Sequence, residues 1–291
     1  MFKRMTAAGL AALAAATLAV APSAGAVTPG GRADRATRTC GAASRDIRAI
    51  EVVGLTADQR LVCFRAGRPD RARDIGDVAG LDVDTRLVGI DARPANGAYY
   101  GLGDQGGVYT VDVSTAQATL VSRLTVPLDG TSFGVDFNPA ADRLRVVSDT
   151  GQNLRINVDT GATTADTGLS YTPGTPATGI VAAAYTNNDL AAATATTLFD
   201  VDSALDQVAV QSPPNNGTLA PTGKLGVDAG PDTSADIYTR TRDEAARDNT
   251  GFAAVNGPDG STFHLVDVLT GSVRKVGTFS GKNTVIGIAV P

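Results

Sequence analysis

The sequence predicts an all-β fold: a β-propeller of five four-stranded blades, closed by pairing of the N- and C-terminal strands. Three observations predict it. From Ile47 onward, runs rich in Val, Ile, Leu and Thr alternate at period 2 between turn signals, and no segment keeps a helical apolar stripe for three turns. Two short phrases recur at a spacing of about 45 residues, the size of a propeller blade. The two ends of the chain also read as complementary pieces of one blade. A β-sandwich is the alternative all-β arrangement, and a sixth blade follows if the charged stretch after Gly230 hides one.

The chain opens with a secretory signal, residues 1–26. Lys3 and Arg4 precede an apolar run from Ala7 to Ala21, and Ala24-Gly25-Ala26 is a small-x-small cleavage site. That run falls short of the roughly 20 residues that span a bilayer, and no other run approaches them. The mature protein is therefore expected to begin at Val27, outside the cytoplasm, with no membrane span. Losing Lys3 and Arg4 takes its formal charge from −5 to −7. An acidic chain without a long basic run is repelled by phosphate, so nucleic acid is not an expected partner. Residues 27–45 lack an apolar period and read as a flexible leader pinned near Cys40; residues 46–291 form the single propeller domain. The two cysteines, Cys40 and Cys63, are expected to pair in an oxidising compartment, tying the leader to an early strand.

The blades follow from the repeats. Gly-aliphatic-Asp appears as Gly89-Ile90-Asp91 and Gly134-Val135-Asp136, with Pro94 and Pro139 at the same offset; Gly179-Ile180-Val181 and Gly287-Ile288-Ala289 are weaker copies. A second phrase ends a strand in Asp before a turn, at Asp112, Asp159, Asp202 and Asp267. An Asp there accepts backbone N–H bonds and fixes the turn. Blades are expected over 86–128, 131–168, 179–226 and 234–279. Strands near 50–54, 61–65 and 73–78 lack an inner strand, which 285–290 supplies. The charged run Thr239 to Asn249 reads as a solvated loop or a turn or two of helix.

The stretch NPAADRLRVVSDTGQNLRINVDTG, with VAAAYTNND and QSPPNNGTL downstream, resembles the domain-of-unknown-function family 4394 (DUF4394) across essentially the whole mature chain. The resemblance implies a secreted bacterial protein of propeller-like fold. It implies no activity and no catalytic residues. One departure is Gly230 to Ser234, which leads into the charged insertion.

Two constellations are candidate sites. Asp91 and Asp136 lie at equivalent positions of inner strands, with Asp236 near the same place, and inner strands line a propeller's axis. Carboxylates converging there suit Ca²⁺, which takes six to eight oxygen ligands, although turn capping or burial against backbone donors competes. Arg143, Arg145, Asn153, Arg155 and Asn157 share strand faces in the 131–168 blade. Blade faces are covered by neighbours, so these guanidiniums either pair with carboxylates such as Asp159 and stitch blades together, or line a pocket for an anionic or carbohydrate ligand. The single histidine, His264, reads as a polar strand residue, and one histidine without free cysteines excludes zinc chemistry. No Gly-x-Ser-x-Gly elbow, P-loop or EF-hand loop is present. The absence of Trp weighs against a sugar-stacking groove.

These features point to a secreted binding or scaffold module acting as a monomer on a small molecule or extracellular partner, with no cofactor beyond a possible Ca²⁺. A metal-dependent lactonase or esterase using the axial carboxylates, and a structural cell-envelope protein, are the alternatives.

Overall fold

The computed structural model describes residues 40–291 apart from 192 and 282. The expected signal peptide, residues 1–26, and most of the expected leader, residues 27–45, lie outside the described residues. The strands are β1 (Glu51–Thr56), β2 (Arg60–Arg65), β3 (Arg68–Asp77), β4 (Leu87–Ala92), β5 (Tyr99–Gly103), β6 (Gly107–Val111) and β7 (Ala118–Arg123). They continue with β8 (Phe133–Asn138), β9 (Arg143–Ser148), β10 (Asn153–Ile156), β11 (Thr163–Ala165), β12 (Ile180–Tyr185), β13 (Leu198–Asp202), β14 (Gln207–Gln211) and β15 (Leu219–Lys224). The last are β16 (Ser234–Arg242), β17 (Ala245–Gly257), β18 (Gly260–Val266), β19 (Val273–Thr278) and β20 (Val285–Ala289).

These strands form five four-stranded antiparallel sheets: β20-β1-β2-β3, then β4 to β7, β8 to β11, β12 to β15 and β16 to β19. The inner strands β4, β8, β12, β16 and β20 are neighbours in that order, and β20 returns to β4, so the ring is closed. The fold is a five-bladed β-propeller. The first blade takes its inner strand from the C-terminus, with Val53 opposite Ala289 and Leu55 opposite Gly287.

Five apolar layers sit between the blades. Val53, Leu55 and Leu61 meet Leu87, Ile90 and Tyr109 between the first and second blades. Leu102 and Val108 meet Phe137, Leu144 and Val146 in the next layer. Val147 meets Ile180, Tyr185 and Leu198. Val201 and Val208 meet Ile237 and Val255. Phe252 and Phe263 close the circuit against Val52, Phe64 and Val285. Successive residues along each strand therefore feed two layers, one on each face.

The charged insertion is neither helix nor loop. β16 and β17 run on past the blade as a hairpin, with Arg242 opposite Ala245 and only Asp243 and Glu244 between them. Both turn residues have positive φ, 54° and 62°. That is the backbone a two-residue hairpin turn requires, here without the usual Gly. A second correction concerns the repeated turn aspartates. Asp112 and Asp267 follow third strands and accept from Ser114 N–H and Leu269 N–H, and the equivalent residue between them is Asn157, which accepts from Asp159 N–H. Asp202 ends a second strand instead, and accepts from Leu205 N–H.

Cys40 and Cys63 form a disulfide with Cα atoms 5.8 Å apart and a sequence separation of 23. Closing a loop of this size should contribute about 3 kcal/mol through chain entropy. Reduction is expected to lower the melting temperature accordingly, and intact-mass analysis should show no alkylation before reduction. Two freely alkylated thiols in the untreated protein would contradict the bridge.

Candidate functional site

The inner strands approach the axis closely because small residues face one another. A Cβ at Gly134 would lie 2.5 Å from the backbone nitrogen of Ala183, so only glycine fits there. Two residues on, each aspartate reaches across to the next blade. Asp91 accepts from Phe137 N–H (2.6 Å), Asp136 from Tyr185 N–H (2.9 Å) and Asp236 from Val290 N–H (2.7 Å). The donating N–H groups, each one residue past the aligned position, place Ala184 and Ala289 as the equivalents in the remaining blades. Val181, expected at that position in the fourth blade, lies three residues too early. A bulge between Ile180 and Ala182 shifts the register there.

The structure brings Asp91, Asp136 and Asp236 together. Their carboxylate oxygens lie within 4.8 Å of one another, and all three residues are buried. Burial raises the pKa of Asp91 and Asp136 well above the carboxylate range, and the neighbouring aspartates raise them further. Burial pushes Asp236 up to about 7, against the lowering effect of the Val290 and Ile237 N–H bonds. The Tyr99 hydroxyl is buried in the field of Asp236 and Asp91 and has no hydrogen-bond partner among the described residues. Burial first, then those two charges, push its pKa up.

These shifts give the metal-free protein a definite pH dependence. A raised folded pKa means that the native state keeps a proton the unfolded state releases. The stabilisation is complete below the unfolded value near 3.8 and is lost as pH rises, for Asp236 through about 7. Chelator-treated protein should melt higher at pH 5 than at pH 8, and Asp236→Asn should flatten that slope. A level or rising melting temperature over the same range would contradict the assignment.

The arginine set divides. Arg145, Asn153 and Arg155 come together; Arg143 and Asn157 do not. The Arg145 side chain is 2% exposed. It donates to Asp166 (2.8 Å), Asn153 Oδ1 (2.7 Å), Asn215 Oδ1 (2.8 Å) and the Tyr185 hydroxyl (3.3 Å). Asn215 and Tyr185 belong to the fourth blade, so the guanidinium spans a blade boundary. Arg155 donates to the same Asp166 through Nε and Nη2. Burial works to raise the Asp166 pKa, but the hydrogen bonds from Arg155 and Arg145 hold it below the ordinary range. Asn153 donates to Thr167 O, just past β11, and to Pro214 O across the boundary. Arg143 donates to the carbonyl of Asp142, and Asn157 caps its own turn.

Asp159, the expected carboxylate partner, belongs to another arginine. Arg93, just past β4, grips Asp159 (2.7 Å) and Asp142 (2.6 Å) of the third blade. Sequence reasoning missed both Arg93 and Asp166. The shared Pro94 and Pro139 offset marked the loop that carries Arg93, but at the matching place the third blade has Asn138, which caps its own turn. Asp200 was missed as well. It is wholly buried, neither of its oxygens has a partner among the described residues, and burial pushes its pKa well above the carboxylate range, with Arg145 pulling the other way.

The closed ring, the inter-blade layers and the axial aspartates define a five-bladed β-propeller with three buried carboxyl groups on its axis. The family model described as "Domain of unknown function (DUF4394)" matches residues 60–289, and the chain belongs to that family. No match is found among curated proteins. Among solved structures, an auxiliary nutrient binding protein from Bacteroides thetaiotaomicron is 15% identical over 77% of this chain and 57% of its own, with a TM-score of 0.40. A counterpart from Bacteroides ovatus is 16% identical over 77% and 57%, TM-score 0.38. A protein of unknown function from Bacteroides thetaiotaomicron is 14% identical over 82% and 60%, TM-score 0.43. The chain thus spans about three fifths of the length of these structures, and similarity at this level assigns it neither ligand nor activity. Among the described residues, no helix is long and apolar enough to cross a membrane.

Proposed function

We propose that this protein is a secreted, non-catalytic binding module, monomeric, that carries one divalent cation on its axis. The observation that carries the proposal is the convergence of Asp91, Asp136 and Asp236 from three blades to within 4.8 Å. The buried Tyr99 hydroxyl, which feels the charges of Asp236 and Asp91 and has no hydrogen-bond partner among the described residues, is consistent with it. An all-oxygen donor set favours Ca²⁺ over softer metals. Each carboxylate oxygen that accepts one N–H bond keeps a second lone pair for an ion. When bound, the ion supplies the positive charge that three buried carboxylates otherwise lack. The Cys40–Cys63 bridge supports an oxidising, extracytoplasmic compartment.

A structural role for the ion is favoured over catalysis. The neighbouring axial cavity, lined by Gly89, Gly134, Ala182 and Gly287 among others, has a volume of about 20 Å³. That admits roughly one water-sized particle from this end of the axis, and all three aspartates are buried, which favours an ion over an ester or lactone as their partner.

Calcium should raise the melting temperature of chelator-treated protein at pH 8, with a saturable dose dependence. At a concentration 100-fold above Kd the gain is about 2.7 kcal/mol. Asp136→Asn should abolish the shift. No shift with Ca²⁺, Mg²⁺ or Mn²⁺ would remove the ion, and calcium-activated ester hydrolysis would replace the binding module with an enzyme.

A further inference from the structure

The axial site has two ends, and they are built differently. The small cavity of about 20 Å³ is lined by residues that precede the aspartates on the inner strands, among them Gly89 and Ile90, Gly134 and Val135, Ser234 and Ala235. Its walls are the inner strands of the closed ring. The other end lies past the aspartates. Tyr99 pairs with Ala92, the residue after Asp91, and Tyr238 follows Asp236 by two. The carboxyl groups therefore sit between the cavity and this second end.

A short stretch of chain, residues 40–44, lies over the second end. Cys40 is fastened to Cys63 by the disulfide. The Ala42 carbonyl accepts from Glu51 N–H (2.9 Å), and the Ser44 carbonyl accepts from the Tyr238 hydroxyl (3.2 Å). Gly41 passes directly over Tyr99. A Cβ there would clash with the Tyr99 hydroxyl, and its φ is +94°, a conformation that suits glycine. That hydroxyl is buried in the field of Asp236, Asp91 and Glu51, so the stretch covers the approach to the triad. Ala42 and Ala43 are exposed and anchor nothing apolar.

We infer that residues 40–44 form a strap that closes the axial site, and that a cation reaches the triad when the strap lifts. The inference rests on the reading of the axis as a cation site and adds how access to that site is controlled. The choice of route follows from what must break. Passage through the small cavity requires an ion to shed its water and the inner strands to part, against sheet pairing and the apolar layers between blades. Lifting the strap breaks the hydrogen bonds at Ala42 and Ser44, whose freed carbonyls turn to water, with Cys40 as the pivot. Local openings are drawn from weakly packed segments. The exposed alanines and the glycine of the strap fit that description.

Carbodiimide coupling of glycinamide to carboxyl groups, read by peptide mass spectrometry, measures access to Asp91, Asp136 and Asp236 in chelator-treated protein, with no ion needed. Asp200 is at least as deeply buried, on the second strand of the fourth blade, and serves as the control for general loosening. Two variants free the strap in different ways. Cys40→Ser/Cys63→Ser removes its pivot, and Gly41→Ala keeps the bridge but pushes the strap off Tyr99. Both should label the triad about tenfold faster than the parent, the effect of losing roughly one hydrogen bond's worth of closure, with Asp200 still protected. Calcium release to excess chelator, followed by stopped flow, should quicken by the same factor. Triad labelling no faster than the parent's in both variants, or labelling of Asp200 at the same accelerated rate, would overturn the strap. Faster labelling with unchanged calcium release would overturn the route and send the ion through the small cavity. Strap-dependent labelling in a protein that binds no calcium would uphold the strap and remove the ion, so the two readings fail separately.

Discussion

Arg145→Ala is expected to melt roughly 10 °C below the parent protein, from a loss of about 3–5 kcal/mol on breaking a buried ion pair. The guanidinium serves four partners in two blades. Its removal leaves Asp166 buried with only Arg155 to hold it, and leaves the side-chain oxygen of Asn215 without its donor. Arg155 is a useful contrast. It shares Asp166, but its side chain is 35% exposed. Water replaces part of what it gives, so Arg155→Ala should cost only about 1 kcal/mol. Thermal melts of both variants test the pair. If both melt like the parent, the stitch does not exist, and this face becomes the place to look for an anionic ligand.

Deleting residues 285–291 should abolish cooperative unfolding. The segment supplies β20, whose loss bares the edge of β1 from Val53 to Thr56. It also withdraws Val285, Ile288 and Val290 from the layer around Phe252 and Phe263. Burial of three such side chains is worth about 1.5–3 kcal/mol each. Together with the lost strand pairing, that rivals the total stability of an ordinary domain, about 5–15 kcal/mol. Loss of a sharp transition in circular dichroism, with aggregates on gel filtration, is the expected outcome. A truncated protein with an unchanged melt would mean that the ring closes some other way.

Blade number, strand order and closure were legible because they depend on local signals: alternation, turn residues and a repeat length. Pairing across blades was not. Nothing in the alternation of Arg143 to Ser148 distinguishes Asp159 from Asp166 as the partner of Arg145, because that choice is made by the packing of separate strands. The fourth inner strand shows a related limit. Gly179 imitates the glycine of Gly89 and Gly134, but the position aligned with Asp91 and Asp136 is Ala184, three residues past Val181. The β16–β17 hairpin was hidden for a chemical reason. Its turn is Asp-Glu rather than Asn-Gly, and charges on both strands read as solvation rather than alternation. The axial aspartates were legible as candidates because their spacing repeats. The unpartnered atoms at Tyr99, Asp200 and His264 were not, since a missing partner is a property of the folded surroundings.

The pairing of Val53 with Ala289 also sets an order of events. Each of the other four sheets is made from consecutive strands and can assemble as soon as its own segment is available. The first sheet cannot, because its inner strand is the last to emerge. Contacts between distant parts of a chain form late and slowly. Until β20 arrives, β1 to β3 wait with an open inner edge, the kind of surface that invites wrong partners. The Cys40–Cys63 bridge needs no such wait, since both cysteines lie on the early segment. It can tether the leader to β2 while the ring is still open, so the covalent staple precedes the closure it later reinforces.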